Sequence, residues 1–259
     1  MKTAFITGAT VNTGYGIADK FLSEGWRVVI TSRAQNQLDG AIASLAEKYG
    51  AENISGYALN AVRADNTIDE ELLDTVFADM DEKGIFIDCL VLNAANLGIK
   101  QRIFENPLSD FMNVINTNVV LNYALIERAA RRMKEKKDGS IVFVNSNTAY
   151  RAIPDRIAYC TSKSAQLGMM RALAIDLGQF NIRVNAVLPG MIKTDRWQNN
   201  YNDCKNALSN YTPLGDIAEF SDIADAVWYF AAHARNTTGA ELTVDGGNTV
   251  QLYPQVPQK

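Results

Sequence analysis

Short runs rich in β-branched residues alternate with longer amphipathic runs along the whole chain. This alternation predicts right-handed βαβ units, because two parallel strands need a long crossover between them. The predicted fold is therefore α/β, a doubly wound parallel sheet of about seven strands with helices on both faces. The predicted strands are 3–7, 27–31, 55–59, 86–92, 140–145, 182–187 and 241–244, and the predicted helices are about 16–24, 35–49, 69–82, 108–136, 157–178 and 221–233.

Length and composition narrow the class of protein. The 259 residues suit one α/β domain, so a single domain over 1–259 is expected. The chain is 47% hydrophobic and 21% charged, and its net charge of -4 includes no basic tract that would favour nucleic acid. No apolar run approaches a membrane span, and MKTAFITGAT turns polar too early for a signal peptide. We expect a cytoplasmic protein that binds neither nucleic acid nor membranes.

Cysteine and histidine usage excludes several kinds of site. Cys89, Cys160 and Cys204 are odd in number and far apart, which predicts reduced thiols without a disulfide or metal pairing. The single histidine, His233, follows an apolar helical run, so a helix-terminal place is favoured over a catalytic one. No metal site is predicted, and we expect another residue type to act as the acid–base group near neutral pH.

The segment AYCTSKSAQLGMM carries the most specific chemical signal. Tyr159 and Lys163 stand four residues apart in a helical context, so both side chains project from one helix face. A free tyrosine, with a pKa of about 10, is a poor acid–base group at neutral pH, but a nearby ammonium group lowers that pKa. The pair predicts a proton donor and acceptor, against the alternative of a chance pair on a solvated helix.

Polar residues also mark places where open α/β sheets bind ligands. Ser146 follows strand 140–145 and precedes Tyr159 by thirteen residues. Asn118 lies inside the predicted helix 108–136, where asparagine is unfavourable and needs a reason.

The stretch ITGATVNTGYGIA, residues 6–18, joins the first predicted strand to the first predicted helix. Its layout suggests a turn that cradles a phosphate at a helix N-terminus. The spacing differs from G-x-G-x-x-G, because five residues separate Gly8 from Gly14. On these residues alone, a nucleotide loop of unusual build and a plain glycine-rich turn both stay open.

Together these segments resemble the short-chain dehydrogenases/reductases of the Tyr-x-x-x-Lys type, from Lys2 to about Asn248. The chain departs from that family at Ala95, where the family has glycine, and by two extra residues between Gly8 and Gly14. The resemblance is carried, in chain order, by TGATVNTGYG, LNAA, Asn118, Ser146, YCTSK, NAVLPGMIKT and TTGAELTVDGG.

The resemblance implies a Rossmann-like fold and an NAD(P)-dependent enzyme that interconverts a ketone or aldehyde and an alcohol. Tyr159 would exchange a proton with the substrate oxygen, and Ser146 would hydrogen-bond that oxygen. Lys163 would lower the tyrosine pKa and hold the nicotinamide ribose. Asn118 would distort its helix and hold a water that links Lys163 to solvent. The resemblance also implies a homo-oligomer, a tetramer or a dimer.

A cofactor site follows from the same resemblance. Gly8 would make the tight turn, Gly14 would admit the pyrophosphate, and Gly16 would let the helix pack closely. After the third strand Asn60 and Asp65 both fit the adenine contact, and Asp65 is favoured. The implied cofactor-binding residues are Gly8, Thr10, Asn12, Thr13, Gly14, Tyr15, Gly16, Ser32, Arg33, Asp65, Asn93, Ala94, Tyr159, Lys163, Pro189, Gly190, Ile192 and Thr194.

The residues after the second predicted strand favour NADP(H) over NAD(H). Dinucleotide folds contact the adenosine ribose at this point, and an acidic residue there would repel a 2′-phosphate. This chain has Ser32 and Arg33, and a guanidinium can pair with a phosphate. The glycine loop adds no Lys or Arg, so Thr10, Asn12 and Thr13 would offer neutral hydrogen bonds.

The substrate is only loosely indicated. The expected walls are 96–104, 147–153 and a lid at about 191–212, and they mix charge with Asn and Tyr. This mixture suits a hydroxylated or anionic carbonyl compound, while an acyl-carrier ketoester, a sugar-like ketone and a steroid stay open. The walls include Arg102, Arg151, Lys193, Arg196, Trp197 and Tyr201.

Two alternative functions are weighed against a carbonyl reductase. Enoyl reductases of the same fold typically place six residues between Tyr and Lys, whereas this chain has three. A non-catalytic dinucleotide-binding protein would be expected to lack at least one of the four catalytic positions, and all four are present.

Overall fold

A computed structural model describes residues 1–194 and 210–253 of the chain. Seven strands form one sheet in the order β3-β2-β1-β4-β5-β6-β7, and each neighbouring pair is parallel. This confirms the predicted doubly wound sheet of about seven strands. The strands are β1 (Thr3–Ile6), β2 (Arg27–Ser32), β3 (Ile54–Ala58), β4 (Cys89–Leu92), β5 (Gly139–Val144), β6 (Ile182–Pro189) and β7 (Glu241–Val244).

Helices connect these strands in the way that parallel pairing requires. Most of them occupy the predicted amphipathic runs. In the described part of the chain the α-helices are α1 (Asn12–Ser23), α2 (Gln35–Tyr49), α3 (Glu70–Glu82), α4 (Leu108–Ile115), α5 (Leu121–Lys136), α6 (Ile157–Gly178) and α7 (Phe220–Trp228).

Alternate residues of each strand face opposite sides of the sheet and so build two hydrophobic cores. In β1, Ala4 and Ile6 join a core that α1, α2 and α7 cover, while Phe5 joins a core that α3, α5 and α6 cover. The expectation of helices on both faces is confirmed. Because both faces are covered, the inner strands β1, β4 and β5 are buried along their whole length, whereas the edge strands β3 and β7 are partly exposed.

The helix predicted over 108–136 is interrupted. A π-helical turn, Asn116–Val120, separates α4 from α5 and contains Asn118. A second π-helical turn, Tyr229–His233, follows α7, and His233 packs edge-to-face on Trp228. Amphipathic spacing continues through such a turn, so the sequence pattern showed one long helix.

The first helix begins at Asn12, four residues before the predicted start. The sequence prediction begins the helix at about Gly16 and leaves Gly14 in the preceding turn. The structure places both inside α1, where close neighbours leave no room for a side chain. Asn12 has a φ of 51°, a left-handed conformation that asparagine tolerates.

The strand order reverses next to β1, which pairs with β2 on one side and β4 on the other. Ligands of open α/β sheets bind beyond the carboxyl ends of the strands near this switch point. Among residues 1–194 and 210–253, no helix combines the length and the apolar character that a membrane crossing requires.

Candidate active site

A cavity of about 1130 Å³ opens at the carboxyl end of the sheet. Most of the sequence-predicted site residues lie in its wall. Those in the wall are Gly8, Thr10, Asn12, Thr13, Gly14, Ser32, Arg33, Asn93, Ala94, Ser146, Tyr159, Lys163, Pro189, Gly190, Ile192 and Thr194.

Tyr159 and Lys163 lie one turn apart on α6, and both border the cavity. The Lys163 ammonium nitrogen is 5.6 Å from the centre of the Tyr159 ring. Its Nζ donates a hydrogen bond of 2.9 Å to the main-chain carbonyl of Val144, the last residue of β5. The hydrogen bond therefore ties the helix that carries Tyr159 to the strand that leads to Ser146.

The Lys163 side chain is only 2% exposed. Burial lowers the pKa of its ammonium group from 10.5 to about 7, because a low-dielectric surrounding disfavours charge. When the Lys163 amine carries its extra proton in this low-dielectric surrounding, the electric field of the charge acts strongly on the neighbouring Tyr159 phenol. The arrangement is suited to favouring the phenolate of Tyr159.

Ser146 stands just beyond β5 and is 8% exposed. Its Oγ accepts hydrogen bonds from the main-chain nitrogen of Thr148 at 3.2 Å and from the Thr148 hydroxyl at 2.9 Å. These bonds fix the Ser146 oxygen at the start of the short 3₁₀ turn Asn147–Ala149.

Asn118 is fully buried beneath the cavity wall. Its Oδ1 accepts from the main-chain nitrogen of Asn96 at 2.7 Å, and its Nδ2 donates to the Asn96 carbonyl at 2.8 Å and to Ser162 Oγ at 2.9 Å. Its own carbonyl accepts from the side chains of Asn122 and Gln166. Both lone pairs of that carbonyl therefore have protein partners.

The glycine loop packs against the end of β4. Gly8 has a φ of +62°, which favours glycine, and it turns the chain between β1 and α1. A Cβ on Gly14 would lie 2.3 Å from the Gly8 carbonyl oxygen and 2.6 Å from Asn93 Nδ2. A Cβ on Gly16 would lie 3.0 Å from Phe220 Cβ, so Gly16 permits the close contact of α1 with α7.

Asn93 holds this loop from the neighbouring strand end. Its side-chain nitrogen donates to the carbonyls of Thr7 at 3.1 Å and Gly8 at 2.9 Å. In return, Thr7 Oγ1 accepts from the main-chain nitrogens of Asn93 and Ala94. The ends of β1 and β4 are therefore joined at the switch point, beside the N-terminus of α1.

Three predicted cofactor residues do not line the cavity: Gly16, which contacts α7, and the two residues Tyr15 and Asp65. Tyr15 points toward α2, where its hydroxyl is 2.8 Å from Ser44 Oγ. Asp65 lies in the turn that a bridge between Val62 and Ile68 closes, and its carboxylate accepts from Thr67. Asn60 follows β3 closely and lies in the cavity wall, whereas Asp65 does not, so this placement favours Asn60 over the predicted Asp65.

Sequence reasoning missed other wall residues. Gln37, on the first turn of α2, lies at the same end as Arg33, and Asn122 lies beside the π-helical turn. Asn248 was also missed because it follows β7, far from the other motifs. Gln37 comes four residues after Arg33, so the ligand site predicted at the end of β2 could have been extended to include it.

The end of the cavity near Ser146 is polar. Asn147 Nδ2 donates to Asn248 Oδ1 at 3.0 Å, and Arg151 donates to the carbonyls of Asn248, Thr249 and Gln251. Arg102 and Lys193 do not border the cavity as it is described. Arg196, Trp197, Tyr201 and Cys204, with most of the lid expected at about 191–212, lie outside the described residues.

The family model described as "Enoyl-(Acyl carrier protein) reductase" matches residues 8–249. The chain is a short-chain dehydrogenase/reductase. This places it among oxidoreductases and confirms the resemblance drawn from the motifs.

Relatives cover almost the whole chain. It is 34% identical over 255 residues to an L-rhamnose 1-dehydrogenase (NAD(P)(+)) of Azotobacter vinelandii, with 97% of this chain and 98% of the relative covered. It is 32% identical over 248 residues to a 3alpha-hydroxysteroid dehydrogenase of Mediterraneibacter gnavus, with coverage of 95% and 96%. The solved structure "ElxO with NADP Bound" shares 29% identity at a TM-score of 0.87, covering 96% of this chain and 99% of that one.

We predict that Gly14→Ala displaces the glycine loop, because the added Cβ meets main-chain atoms of Gly8 and Ala9 at 2.3 and 2.8 Å. The variant should lose about 1–3 kcal/mol of unfolding free energy and bind NADPH about tenfold more weakly. Urea unfolding and fluorescence titration measure the two effects. Gly40→Ala, in α2 with no neighbour within 4 Å, is the matched control and should gain about 0.5–1 kcal/mol. Wild-type stability and affinity in Gly14→Ala would refute the prediction.

The lowered pKa of Lys163 predicts a pH dependence of stability. Between the folded pKa of about 7 and the unfolded value of 10.5, the unfolded chain binds more protons, so stability rises with pH. The slope approaches about 1.4 kcal/mol per pH unit. Burial raises the pKa of the Cys89 thiol from 9.0 to about 12, so above about pH 9 the unfolded chain loses the thiol proton first and this opposing effect cancels the rise.

Unfolding of the cofactor-free protein in urea between about pH 7 and pH 9 measures this slope. Lys163→Met should remove it, whereas Lys48→Met, which changes an exposed lysine of α2, should keep it. Parallel curves for wild type and Lys163→Met would contradict the assignment.

Proposed function

We propose that the protein is an NADPH-dependent carbonyl reductase that interconverts a ketone or aldehyde and an alcohol by hydride transfer. The observation that carries the proposal is the placement of Tyr159 and Lys163 on one face of α6, in the wall of the cavity that Ser146 also borders. The chain would act as a single domain over 1–259.

Tyr159 acts as the general acid in reduction and as the general base in the reverse direction. The buried Lys163 ammonium group favours the phenolate and so brings the tyrosine pKa closer to neutrality. Ser146 Oγ accepts two hydrogen bonds from Thr148, which leaves its own hydrogen to donate to the substrate oxygen. That donation stabilises the negative charge that develops on the oxygen.

A dinucleotide suits the cavity. The N-terminus of α1 faces the cavity through Asn12, Thr13 and Gly14, and its first turn carries no acidic residue, which favours a diphosphate. In the described residues, the hydroxyl of Thr194 is buried without a hydrogen-bond partner and can bind a carboxamide. When bound, the cofactor supplies the hydride.

Arg33 supports NADP(H) over NAD(H) for this chain. It is exposed beside the cavity, next to Ser32 and Gln37, where a cation and neutral donors can receive a 2′-phosphate. A related structure of 29% identity holds NADP, and a relative's name includes both cofactors. The position of Asn60 in the cavity wall beside this end supports a contact with the adenine.

The polar wall near Ser146 supports a hydroxylated carbonyl compound as substrate. Asn147, Thr148 and Asn248 can hydrogen-bond hydroxyl groups there, and the relative of 34% identity is named for a sugar. Steroids and ketoacyl thioesters are the competing classes, since other relatives carry those names.

Enoyl reduction is the alternative that the matched family description raises. The three residues between Tyr159 and Lys163 favour carbonyl chemistry, and so do the names of the curated relatives. A non-catalytic dinucleotide-binding role is disfavoured because Ser146, Tyr159 and Lys163 converge on one cavity.

Assembly into a dimer or tetramer belongs to the same proposal. Leu108 in α4 is 74% exposed and Tyr123 in α5 is 55% exposed, which supports a protein contact on this face.

The proposal predicts that Tyr159→Phe lowers kcat by about 10²–10⁴-fold, because the proton donor is removed. The measurement is turnover with NADPH and NADH across a panel of sugar-like carbonyls, oxosteroids, ketoacyl thioesters and enoyl thioesters, with secondary alcohols for the reverse reaction. Tyr229→Phe changes an exposed tyrosine after α7, outside the cavity wall, and is the matched control.

Each result of the panel has a distinct meaning. Undiminished turnover in Tyr159→Phe would overturn the mechanism. Turnover of an enoyl thioester alone would favour the alternative reductase, and NADPH binding without turnover would favour the non-catalytic role.

Arg33→Asp should lower the ratio of kcat/KM for NADPH to that for NADH by at least about tenfold, because a carboxylate repels the 2′-phosphate and accepts from a free 2′-hydroxyl. Steady-state kinetics with both cofactors measure the ratio. Arg63→Asp, which reverses a charge paired with Asp69 outside the cavity, should leave it unchanged. An unchanged ratio in Arg33→Asp would show that the assignment to NADP(H) is wrong.

A further inference from the structure

One buried amide contacts segments that carry three of the proposed catalytic groups. Gln166 lies three residues after Lys163 on α6 and is 1% exposed. It lies beneath the cavity wall rather than in it. Its contacts therefore act on the residues of the site and not on a ligand.

Gln166 connects the end of β5 to the π-helical turn. Its Nε2 donates to the Asn118 carbonyl at 2.7 Å, and its Oε1 accepts from Asn145 Nδ2 at 3.0 Å. Asn145 Nδ2 also donates to the Lys163 carbonyl at 2.9 Å, and Asn145 Oδ1 accepts from the Ser146 nitrogen at 2.8 Å.

The connection continues to Tyr159 through Asn118. Asn118 Nδ2 donates to Ser162 Oγ at 2.9 Å, and Ser162 Oγ donates to the Tyr159 carbonyl at 2.8 Å. The hydrogen bonds thus run from the Ser146 main chain, through Gln166 and Asn118, to the Tyr159 main chain.

We propose that Gln166 is a positioning residue, whose buried amide holds Ser146, Lys163 and Tyr159 in a fixed relative arrangement. The inference rests on the proposed function, since these three groups are its chemistry. A fully partnered buried network is rigid, and small displacements of catalytic groups cost large factors in rate.

The amide is suited to this place in two ways. It supplies one donor for a carbonyl and one acceptor for an amide, so its orientation is fixed by both neighbours. It is also neutral, so it fills a buried position near Lys163 and Tyr159 without adding a charge that would change their ionisation.

Two variants separate these properties. Gln166→Met keeps the length of the side chain and loses both hydrogen bonds. Gln166→Glu is equivalent to glutamine only while its carboxyl group is protonated, when it can donate to Asn118 and accept from Asn145. Gln179→Met changes an exposed glutamine after the end of α6 and is the matched control.

We expect Gln166→Met to lower kcat at least about tenfold with NADPH affinity changed less than about threefold, because Gln166 does not touch the cavity. The ratio of kcat for Gln166→Glu to kcat for wild type should fall as pH rises, because ionisation removes the donor to Asn118. Active enzyme is counted by NADPH titration, so loss of folded protein does not enter either value.

A measurement without turnover separates this inference from the proposed function. In the cofactor-free protein, the ionisation of Tyr159 is followed by ultraviolet absorbance as pH rises. Its contribution is the difference between the titration curve of each protein and that of its Tyr159→Phe counterpart. The Gln166→Glu carboxylate should move this ionisation to higher pH, because a negative charge opposes the phenolate. This titration tests the network even where wild type turns over no substrate, a result that would count against the proposed function alone.

Wild-type kcat in Gln166→Met would overturn the proposal. So would a kcat ratio for Gln166→Glu that is constant with pH, together with an unmoved Tyr159 titration. If Gln166→Met does not fold, these two measurements on Gln166→Glu decide the question.

Discussion

Burial of the Lys163 ammonium group is the constraint on which the rest of the site depends. A charge removed from water is costly unless polar groups replace its hydration, and here the Val144 carbonyl accepts from Nζ. The neutral amides of Asn145 and Gln166 hydrogen-bond to each other, and Asn145 also donates to the Lys163 main-chain carbonyl. The same low dielectric that lowers the lysine pKa strengthens its field at Tyr159. The burial of Lys163 thus accounts both for the free-energy cost of its charge and for its effect on the ionisation of Tyr159.

The π-helical turn at Asn116–Val120 is also held by neutral polar side chains. The turn departs from regular α-helical bonding, and the Asn118 carbonyl accepts from the side chains of Asn122 and Gln166. Asparagine is unfavourable in a regular helix because its side chain competes for main-chain groups. In this turn the Asn118 side chain bonds to main-chain groups of another segment instead: it accepts from the Asn96 nitrogen and donates to the Asn96 carbonyl.

Much of the fold could be predicted from the sequence because its periodicities are local. The seven strands and the reactive pair on α6 follow from alternation and from a four-residue spacing. The break at Asn118 could not be located, because the amphipathic pattern continues from α4 into α5. The choice between Asn60 and Asp65 depended on the bridge between Val62 and Ile68, which no local pattern shows. Gln166 was hidden for a similar reason, since its partners lie 21 and 48 positions away.

The site divides into a rigid part and a separate wall, and this division explains why class is easier to infer than substrate. Ser146, Tyr159 and Lys163 are held by the end of β5, by α6 and by the buried amides. The polar wall is held differently, because Arg151 binds the carbonyls of the segment after β7 and Asn147 binds Asn248. Changes at Asn147, Arg151 or Asn248 would leave the hydrogen bonds of Ser146, Tyr159 and Lys163 in place, whereas Thr148 belongs to the rigid part because Ser146 Oγ accepts from it. Substrate choice can therefore vary on this scaffold while the geometry of the proposed proton transfer stays the same, so motifs indicate the chemistry and the substrate depends on side chains that belong to no motif.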